Sequence, residues 1–208
     1  MKKFLLPPRS EALVVVAHPD DETIWLGGFI LSQPQVHWTI LALARASDPD
    51  RAPKFTAVAN YYKAAGLQDD WDDEDKLSPR ASLQSAKQIL KKQLGNKHFD
   101  FLFTHGPNGE YGHPMHKTCH QAIKELLNDK QLSIGSAWHF NYKKLSRYKL
   151  APKADSDQVI KLSPIIFKQK KLIMRELYGF NPKGIDIGYS TNPESLKLMS
   201  IKNNKKFL

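Results

Sequence analysis

The sequence of 208 residues contains a single cysteine, Cys119, so no disulfide can form within the chain. A domain of this size buries roughly 70% of the surface that its unfolded chain exposes, and it needs no disulfide for stability. No apolar run approaches the ~20 residues that a transmembrane helix requires. Only three apolar residues separate Lys3 from Pro7, too few for the apolar region of a signal peptide. These absences predict a cytoplasmic protein without a membrane span.

The formal net charge of +10 is unevenly distributed along the chain. Residues 1–104 contain equal numbers of basic and acidic residues, whereas residues 105–208 contain 18 Lys and Arg against 8 Asp and Glu. A basic half could attract nucleic acid, an anionic membrane or an acidic substrate. No nucleic-acid-binding motif accompanies the charge, so we interpret it as a solvated lysine-rich surface and expect no nucleic-acid partner.

Apolar segments of strand type alternate with segments of helical periodicity. The predicted strands are residues 12–17, 37–44, 99–104, 133–140 and 159–162. The predicted helices are residues 23–32, 55–65, 82–94, 115–128 and 167–178, with a loop at residues 45–55. This alternation predicts an α/β fold, a mostly parallel sheet with helices on both faces. We expect a single domain spanning residues 1–208, with flexible ends at residues 1–10 and 203–208.

Unusual polar residues follow three of the predicted strands. Ligands of parallel sheets bind beyond the carboxyl ends of the strands. This rule selects the loops that begin at His18, Arg45 and His105 as the candidate site.

The first cluster is His18-Pro19-Asp20-Asp21-Glu22, at the end of the first strand. His18 and Asp21 are separated by two residues across a tight turn, so both side chains can reach one point. Three adjacent acids repel one another, and a bound cation would remove that penalty. The alternative is a helix N-terminus at which the acids interact with the helix dipole.

The second cluster, residues 111–116, lies in a glycine-rich loop and ends at His116 on a predicted helix. Two imidazoles and one carboxylate form a typical catalytic zinc site. We therefore predict His18, Asp21 and His116 as metal ligands, with Zn²⁺ as the ion and Fe²⁺ or another divalent ion as the alternative. The pair His113 and His116, separated by two residues, is by itself more often incidental than a metal site. His120 is expected at the surface.

The remaining candidates are assigned by chemistry. Asp20 lies beside the ligand Asp21 and could take the proton of the attacking water. The Tyr111 hydroxyl could stabilise the oxyanion, and His113 could protonate the leaving amine. Arg45, at the end of the second strand, is either a substrate anchor or part of a surface salt bridge.

The residues AHPDDE at positions 17–22, together with NGEYGHPMH at positions 108–116, resemble the LmbE-like (PIG-L-like) N-acetylglucosamine deacetylase family. The resemblance implies a Rossmann-like fold and a zinc-dependent N-deacetylase. It implies the same roles for individual residues: His18, Asp21 and His116 as ligands, Asp20 as general base, His113 and Tyr111 at the reacting carbonyl, and Arg45 at the substrate.

Two departures from the family pattern concern proton transfer and the substrate. Met115 stands where the family often has Asp or Asn, so His113 lacks a carboxylate partner there. Residues 172–181 lack a histidine pattern that many members have near the last helix. We expect hydrolysis of an N-acyl, most simply N-acetyl, group of an amino sugar or its conjugate. The alternatives are a metal-dependent hydrolase of another acyl or nucleotide-linked substrate, and a non-catalytic ligand-binding protein on the same scaffold.

Overall fold

The computed structural model describes residues 4–74 and 76–200 as nine strands and seven α-helices. The strands are β1 (Glu11–Val16), β2 (His37–Ala42), β3 (Ala65–Gln68), β4 (His98–Thr104), β5 (Ser133–Phe140), β6 (Tyr142–Ser146), β7 (Lys149–Pro152), β8 (Gln158–Ile160) and β9 (Glu194–Leu198). The helices are α1 (Asp21–Leu31), α2 (Arg51–Tyr62), α3 (Pro79–Leu94), α4 (Gly109–Gly112), α5 (Pro114–Asn128), α6 (Pro164–Leu172) and α7 (Ile185–Tyr189), with a π-helical turn at Ile173–Leu177.

Seven strands form one mixed sheet in the order β3-β2-β1-β4-β5-β9-β8. The first five in this order run parallel, and β9 and β8 complete the sheet by antiparallel pairing. The strands β6 and β7 form a separate antiparallel pair. The predicted α/β fold, a mostly parallel sheet in a single domain, is confirmed.

Apolar side chains of the central strand β1 pack on both faces of the sheet. Val14 and Val16 share one apolar cluster with Trp25 of α1. Leu13 and Val15 share the other with residues of α3 and α5. Because successive side chains of a strand point to opposite faces, a strand covered on both sides is apolar at every position. This explains the continuous apolar run that predicted β1.

The region after β2 differs from the prediction. The helix predicted at residues 55–65 begins earlier, at Arg51, and it ends where Lys63 adopts a left-handed backbone conformation with φ 56°. Residues Ala65–Gln68 form the edge strand β3, which the sequence analysis missed. Gly66 does not stop the helix: a Cβ there would lie 2.9 Å from the Cβ of Ala59, so glycine lets β3 pack closely on α2.

The C-terminal third also differs from the prediction. The helix predicted at residues 167–178 is α6 followed by the π-helical turn, and α7 follows it. The hairpin of β6 and β7 was not predicted, because its strands are short and its exposed side chains show no alternation.

Residues 4–10, which belong to the predicted flexible end, contact the rest of the domain. Leu6 is buried, and its amide donates to Gln33. Residues 1–3 and the predicted flexible end at 203–208 lie outside the described residues. None of the helices in residues 4–74 and 76–200 is long and apolar enough to cross a membrane.

Candidate metal centre and active site

A cavity of about 180 Å³ opens at the carboxyl ends of β1 and β4. Its walls include His18, Asp20, Tyr111, His113, Arg45 and Asp186. The two predicted clusters thus meet at one cavity, as expected for parallel strands whose carboxyl ends share an edge.

The carboxylate of Asp21 lies at the centre of the buried wall. Its Oδ2 is 3.3 Å from Nδ1 of His18 and 3.3 Å from Nε2 of His116. Its Oδ1 accepts a hydrogen bond of 2.9 Å from the Trp25 indole. Burial disfavours the charged carboxylate, but His116 and His105 outweigh it and hold the pKa of Asp21 well below its usual range. An anionic oxygen is therefore held between two imidazole nitrogens.

His116 supplies the observation that tests whether a metal fits. Its Nε2 is buried, and it has no partner in hydrogen-bond geometry although the carboxylate of Asp21 lies close by. A buried polar atom without a partner is costly. Two imidazoles and one carboxylate are the donors that zinc prefers at an open catalytic site. The predicted ligands His18, Asp21 and His116 therefore fit a divalent cation.

Glu110 contacts the nitrogen of His116 that faces away from Asp21. Its Oε2 lies 2.6 Å from Nδ1 of His116 and 2.9 Å from Nδ1 of His105, and its Oε1 accepts from the Gly106 amide. Burial disfavours its charge, but His105 and His116 lower the pKa of Glu110 to about 2. A carboxylate on the outer nitrogen fixes the tautomer and the orientation of a metal-binding imidazole.

His105 lies beside the candidate ligands, but both of its nitrogens are occupied. Its Nε2 accepts from the amide of Ala17 at 3.0 Å, and its Nδ1 pairs with Glu110. Its carbonyl accepts a hydrogen bond from His120, which is buried and not at the surface as expected. We assign His105 to the support of the site.

A set of three histidines overlaps the predicted ligands His18, Asp21 and His116. Ring nitrogens of His18, His113 and His116 lie within 4.8 Å of one another. The ring of His113 stacks on that of His116 with 4.5 Å between centroids, and its Nδ1 is buried without a partner. Burial and then the neighbouring His116 and His18 lower the pKa of His113 to about 4. Met115 is buried in an apolar cluster and contributes no carboxylate.

Asp20 is held at the cavity by an unusual backbone conformation. Its φ is 112°, a region that favours glycine, while its carbonyl accepts from the amides of Thr23 and Ile24. Its Oδ2 lies 3.1 Å from the guanidinium of Arg51. Burial and the charge of Asp21 raise the pKa of Asp20 well above its usual range, against the opposing effect of Arg51. A carboxylate with a raised pKa takes up a proton more readily.

Tyr111 and Arg45 lie on the outer wall of the cavity. The ring of Tyr111 is 4.9 Å from that of Tyr189, and burial followed by the charge of Asp21 raises the pKa of its hydroxyl. This hydroxyl therefore stays protonated and can donate. The guanidinium of Arg45 forms ion pairs with Asp73 and Asp48. Arg45 also lines the cavity, so its position agrees both with a salt bridge and with a substrate contact.

Several residues of the site were missed in the sequence. Glu110 reaches it from the short helix α4, and Arg51 reaches it from the start of α2. Asp186 and Tyr189 reach it from α7. Only Glu110 had a local signal, because it lies inside the second motif at residues 108–116. Its backbone, at φ 54°, is itself unusual for a residue other than glycine.

Replacing Glu110 tests its support of His116. Glu110→Gln keeps the size of the side chain but removes the charge that holds Nδ1 of His116. We expect zinc affinity to fall by about tenfold to a hundredfold, as is typical when the outer partner of a ligand is lost. Competition with a chromogenic chelator measures this. Glu125→Gln, which removes a carboxylate paired with Lys87 outside the cavity, is the control. Equal affinities for Glu110→Gln and the wild type would contradict the assignment.

Comparison with known proteins identifies relatives in sequence and in fold. An uncharacterized protein of Acanthamoeba polyphaga mimivirus is 25% identical over 215 residues, which cover 95% of this chain and 83% of that protein. Among solved structures, the A40926 pseudoaglycone deacetylase Dbv21 has a TM-score of 0.61 at 12% identity, covering 82% of each chain. A deacetylase of teicoplanin biosynthesis has a TM-score of 0.61 at 10% identity, covering 90% of this chain and 96% of that one.

The fold is also shared with an enzyme of another class. The 4-carboxy-2-hydroxymuconate hydratase GalB of Pseudomonas putida has a TM-score of 0.60 at 12% identity, covering 95% of this chain and 98% of that one. The reaction must therefore be argued from the site and not from the fold.

The sequence profile described as "PIG-L: GlcNAc-PI de-N-acetylase" matches residues 13–127, which is more than half of the chain and includes both motif clusters. The family expected from the motifs is thus confirmed, and the chain belongs to the PIG-L family of GlcNAc-PI de-N-acetylases.

Proposed function

We propose that the protein is a zinc-dependent N-deacetylase that hydrolyses the acetamide of an acylated amino sugar or its conjugate. The observation that carries this proposal is the convergence of His18, Asp21 and His116 beside the carboxylate of Asp20, in a protein of the PIG-L family. The two deacetylases that share the fold add support.

His18, Asp21 and His116 would hold the cation. A divalent ion at such a site supplies Lewis acidity, which polarises a carbonyl oxygen and makes water a better nucleophile at neutral pH. We prefer this set to the three histidines because Oδ2 of Asp21 is a buried anionic donor equally close to His18 and His116. His113 then remains available to the substrate.

Asp20 is the proposed general base. Its raised pKa suits a group that accepts a proton from the attacking water and later releases it. Arg51 orients the carboxylate through the contact to Oδ2. The carboxylate of Asp20 contacts Arg51, whereas that of Asp21 contacts His18 and His116, so the two acids can serve different roles.

Tyr111 and His113 are the proposed groups at the reacting carbonyl. The Tyr111 hydroxyl can donate to the developing oxyanion because its raised pKa keeps it protonated. His113 lines the same cavity and is not assigned to the metal, so it is the proposed proton donor to the leaving amine. Met115 supplies no carboxylate, so His113 would protonate the leaving amine without help from an acid at that position.

Asp20→Asn tests the reaction. We expect turnover to fall by about a hundredfold to ten-thousandfold, because the amide cannot accept the proton, while the bound zinc stays at wild-type level. Acetate release and metal content are measured on the same preparation. Asp50→Asn, at an exposed acid that pairs with Lys54, is the control. Full activity of Asp20→Asn would overturn its role, and zinc binding without turnover on any substrate would favour a non-catalytic binding protein.

The cavity favours a neutral polyol over an anionic substrate. Both arginines at its wall, Arg45 and Arg51, are already paired with carboxylates. Arg45 is the proposed substrate contact, since it lines the cavity from the end of β2. A panel of N-acetylglucosamine, its O-glycosides and its nucleotide-linked form, assayed at low and high salt, tests this. Salt-sensitive preference for the nucleotide form would instead support an anionic substrate.

A further inference from the structure

The hairpin of β6 and β7 concentrates positive charge outside the main sheet. Its side chains Lys143, Lys144, Arg147 and Lys149 are all exposed, and none forms an ion pair with an acid in the described part of the chain. The next acid along the chain, Asp155, is paired with Lys197. We call residues 142–152 the basic hairpin. Its positive charge is therefore not compensated locally.

Two large apolar side chains are exposed among these cations. Leu145 is 52% exposed and lies at the register shift between Lys144 and Ser146, so it is the bulged residue that has no cross-strand partner. A β-bulge changes the direction in which a side chain points, and here the bulged side chain is an exposed leucine. Tyr148 is 48% exposed, with the guanidinium of Arg147 lying 5.3 Å from its ring centroid. Neither side chain contributes to the core.

The base of the basic hairpin is fixed to the walls of the active site. Tyr142 is buried, its hydroxyl donates to the carbonyl of Trp25, and its own carbonyl accepts from Asn108. At the other end, a Cβ on Gly188 of α7 would lie 2.5 Å from the carbonyl of Tyr148, so the turn rests directly on α7. The charged tip is thus a fixed surface beside the cavity.

We propose that the basic hairpin docks the protein on an anionic lipid bilayer. Anionic bilayers attract clustered Lys and Arg, at about a tenfold gain in partitioning for every one or two charges. Tyrosine is enriched at membrane interfaces, and an exposed leucine gains by insertion among acyl chains. Leu145 is the feature that favours lipid over nucleic acid, because a phosphate backbone offers no contact for an exposed leucine. This inference does not rest on the proposed reaction.

Vesicle co-sedimentation of the full chain tests the proposal. The probe is vesicles of equal parts phosphatidylglycerol and phosphatidylcholine, compared with phosphatidylcholine alone. We expect wild type to bind only the anionic vesicles, more weakly as salt rises. Replacing the four cations of the basic hairpin by glutamine should reduce binding at least a hundredfold. The matched control neutralises four exposed cations elsewhere, Arg80, Lys91, Lys97 and Lys124, and should retain most of it.

A second measurement separates docking from general charge attraction. Cys119 is buried, so a cysteine placed at Leu145 can be labelled selectively with an environment-sensitive dye. The dye should shift to the blue on anionic vesicles, whereas the same dye on Lys97→Cys should not. Absence of wild-type binding, equal losses in the two charge variants, or an unshifted dye at Leu145 would each overturn the proposal. So would binding of duplex DNA that is as tight as vesicle binding.

Discussion

His116→Ala is expected to lose the bound metal and, with it, activity by about a thousandfold or more. Lewis-acid stabilisation by a catalytic metal is worth several kcal/mol, which corresponds to a loss of this size. His116 is the proposed ligand with the strongest structural support, because its buried Nε2 faces Asp21 without a hydrogen bond and its Nδ1 pairs with Glu110. Metal per chain is measured by elemental analysis of protein purified without added metal or chelator.

Two variants make this experiment decisive. His120→Ala removes a buried imidazole one turn further along α5, whose Nδ1 is bonded to the carbonyl of His105, and it should keep the metal. His113→Ala separates the two overlapping ligand sets: it keeps the metal if Asp21 is a ligand and loses it if the three histidines bind. A wild-type protein that takes up no metal even after zinc is added would show that the cluster is not a metal site.

Lys170→Met is expected to destabilise the fold by about 3–5 kcal/mol, the range typical for breaking a buried ion pair. The ammonium of Lys170 is buried and donates to Glu194 at 2.7 Å and to the carbonyl of Thr191. The same carboxylate accepts from the amides of Gly28 and Phe29 in α1. Without Lys170, the charge of Glu194 is left buried with only those two amides.

Thermal or urea denaturation measures this loss. For a chain of this size, each kcal/mol corresponds to about 2–4 °C in Tm, so a fall of roughly 6–20 °C is expected. The double variant Lys170→Met with Glu194→Gln should recover part of the stability, because neither charge of this buried pair remains. Lys92→Met, which breaks the exposed pair with Asp69, should change Tm far less. Equal effects of Lys170→Met and Lys92→Met on Tm would show that the buried ion pair stabilises the fold no more than the Lys92–Asp69 pair does.

The sequence was sufficient for the elements that carry strong periodic patterns. The buried strand β1 and the amphipathic helices α3 and α5 were predicted because each buries a long apolar stripe or run. The strand β3 was missed because its four residues are half-buried or exposed and its pairing depends on β2. The helix α7 was missed for a similar reason, since five residues cannot show a helical period.

The same distinction applies to the site. The convergence of His18, Asp21 and His116 could be predicted because each is placed by its own strand end or helix start. Arg51 could not, because its contact with Asp20 depends on the start of α2, which no residue pattern fixed. Glu110 contacts His105 and His116 because the backbone turns at this residue, and no residue pattern predicted that turn.

The helix α7 forms part of the cavity wall but supplies none of the proposed metal ligands. The proposed ligands and base lie between His18 and His116, inside the region that matches the family profile, whereas Asp186 and Tyr189 lie beyond it. A change within residues 185–189 can therefore alter what the cavity admits and leave the proposed metal donors unchanged. We therefore expect an exchange of residues 185–189 to change the substrate preference while the proposed metal centre is kept.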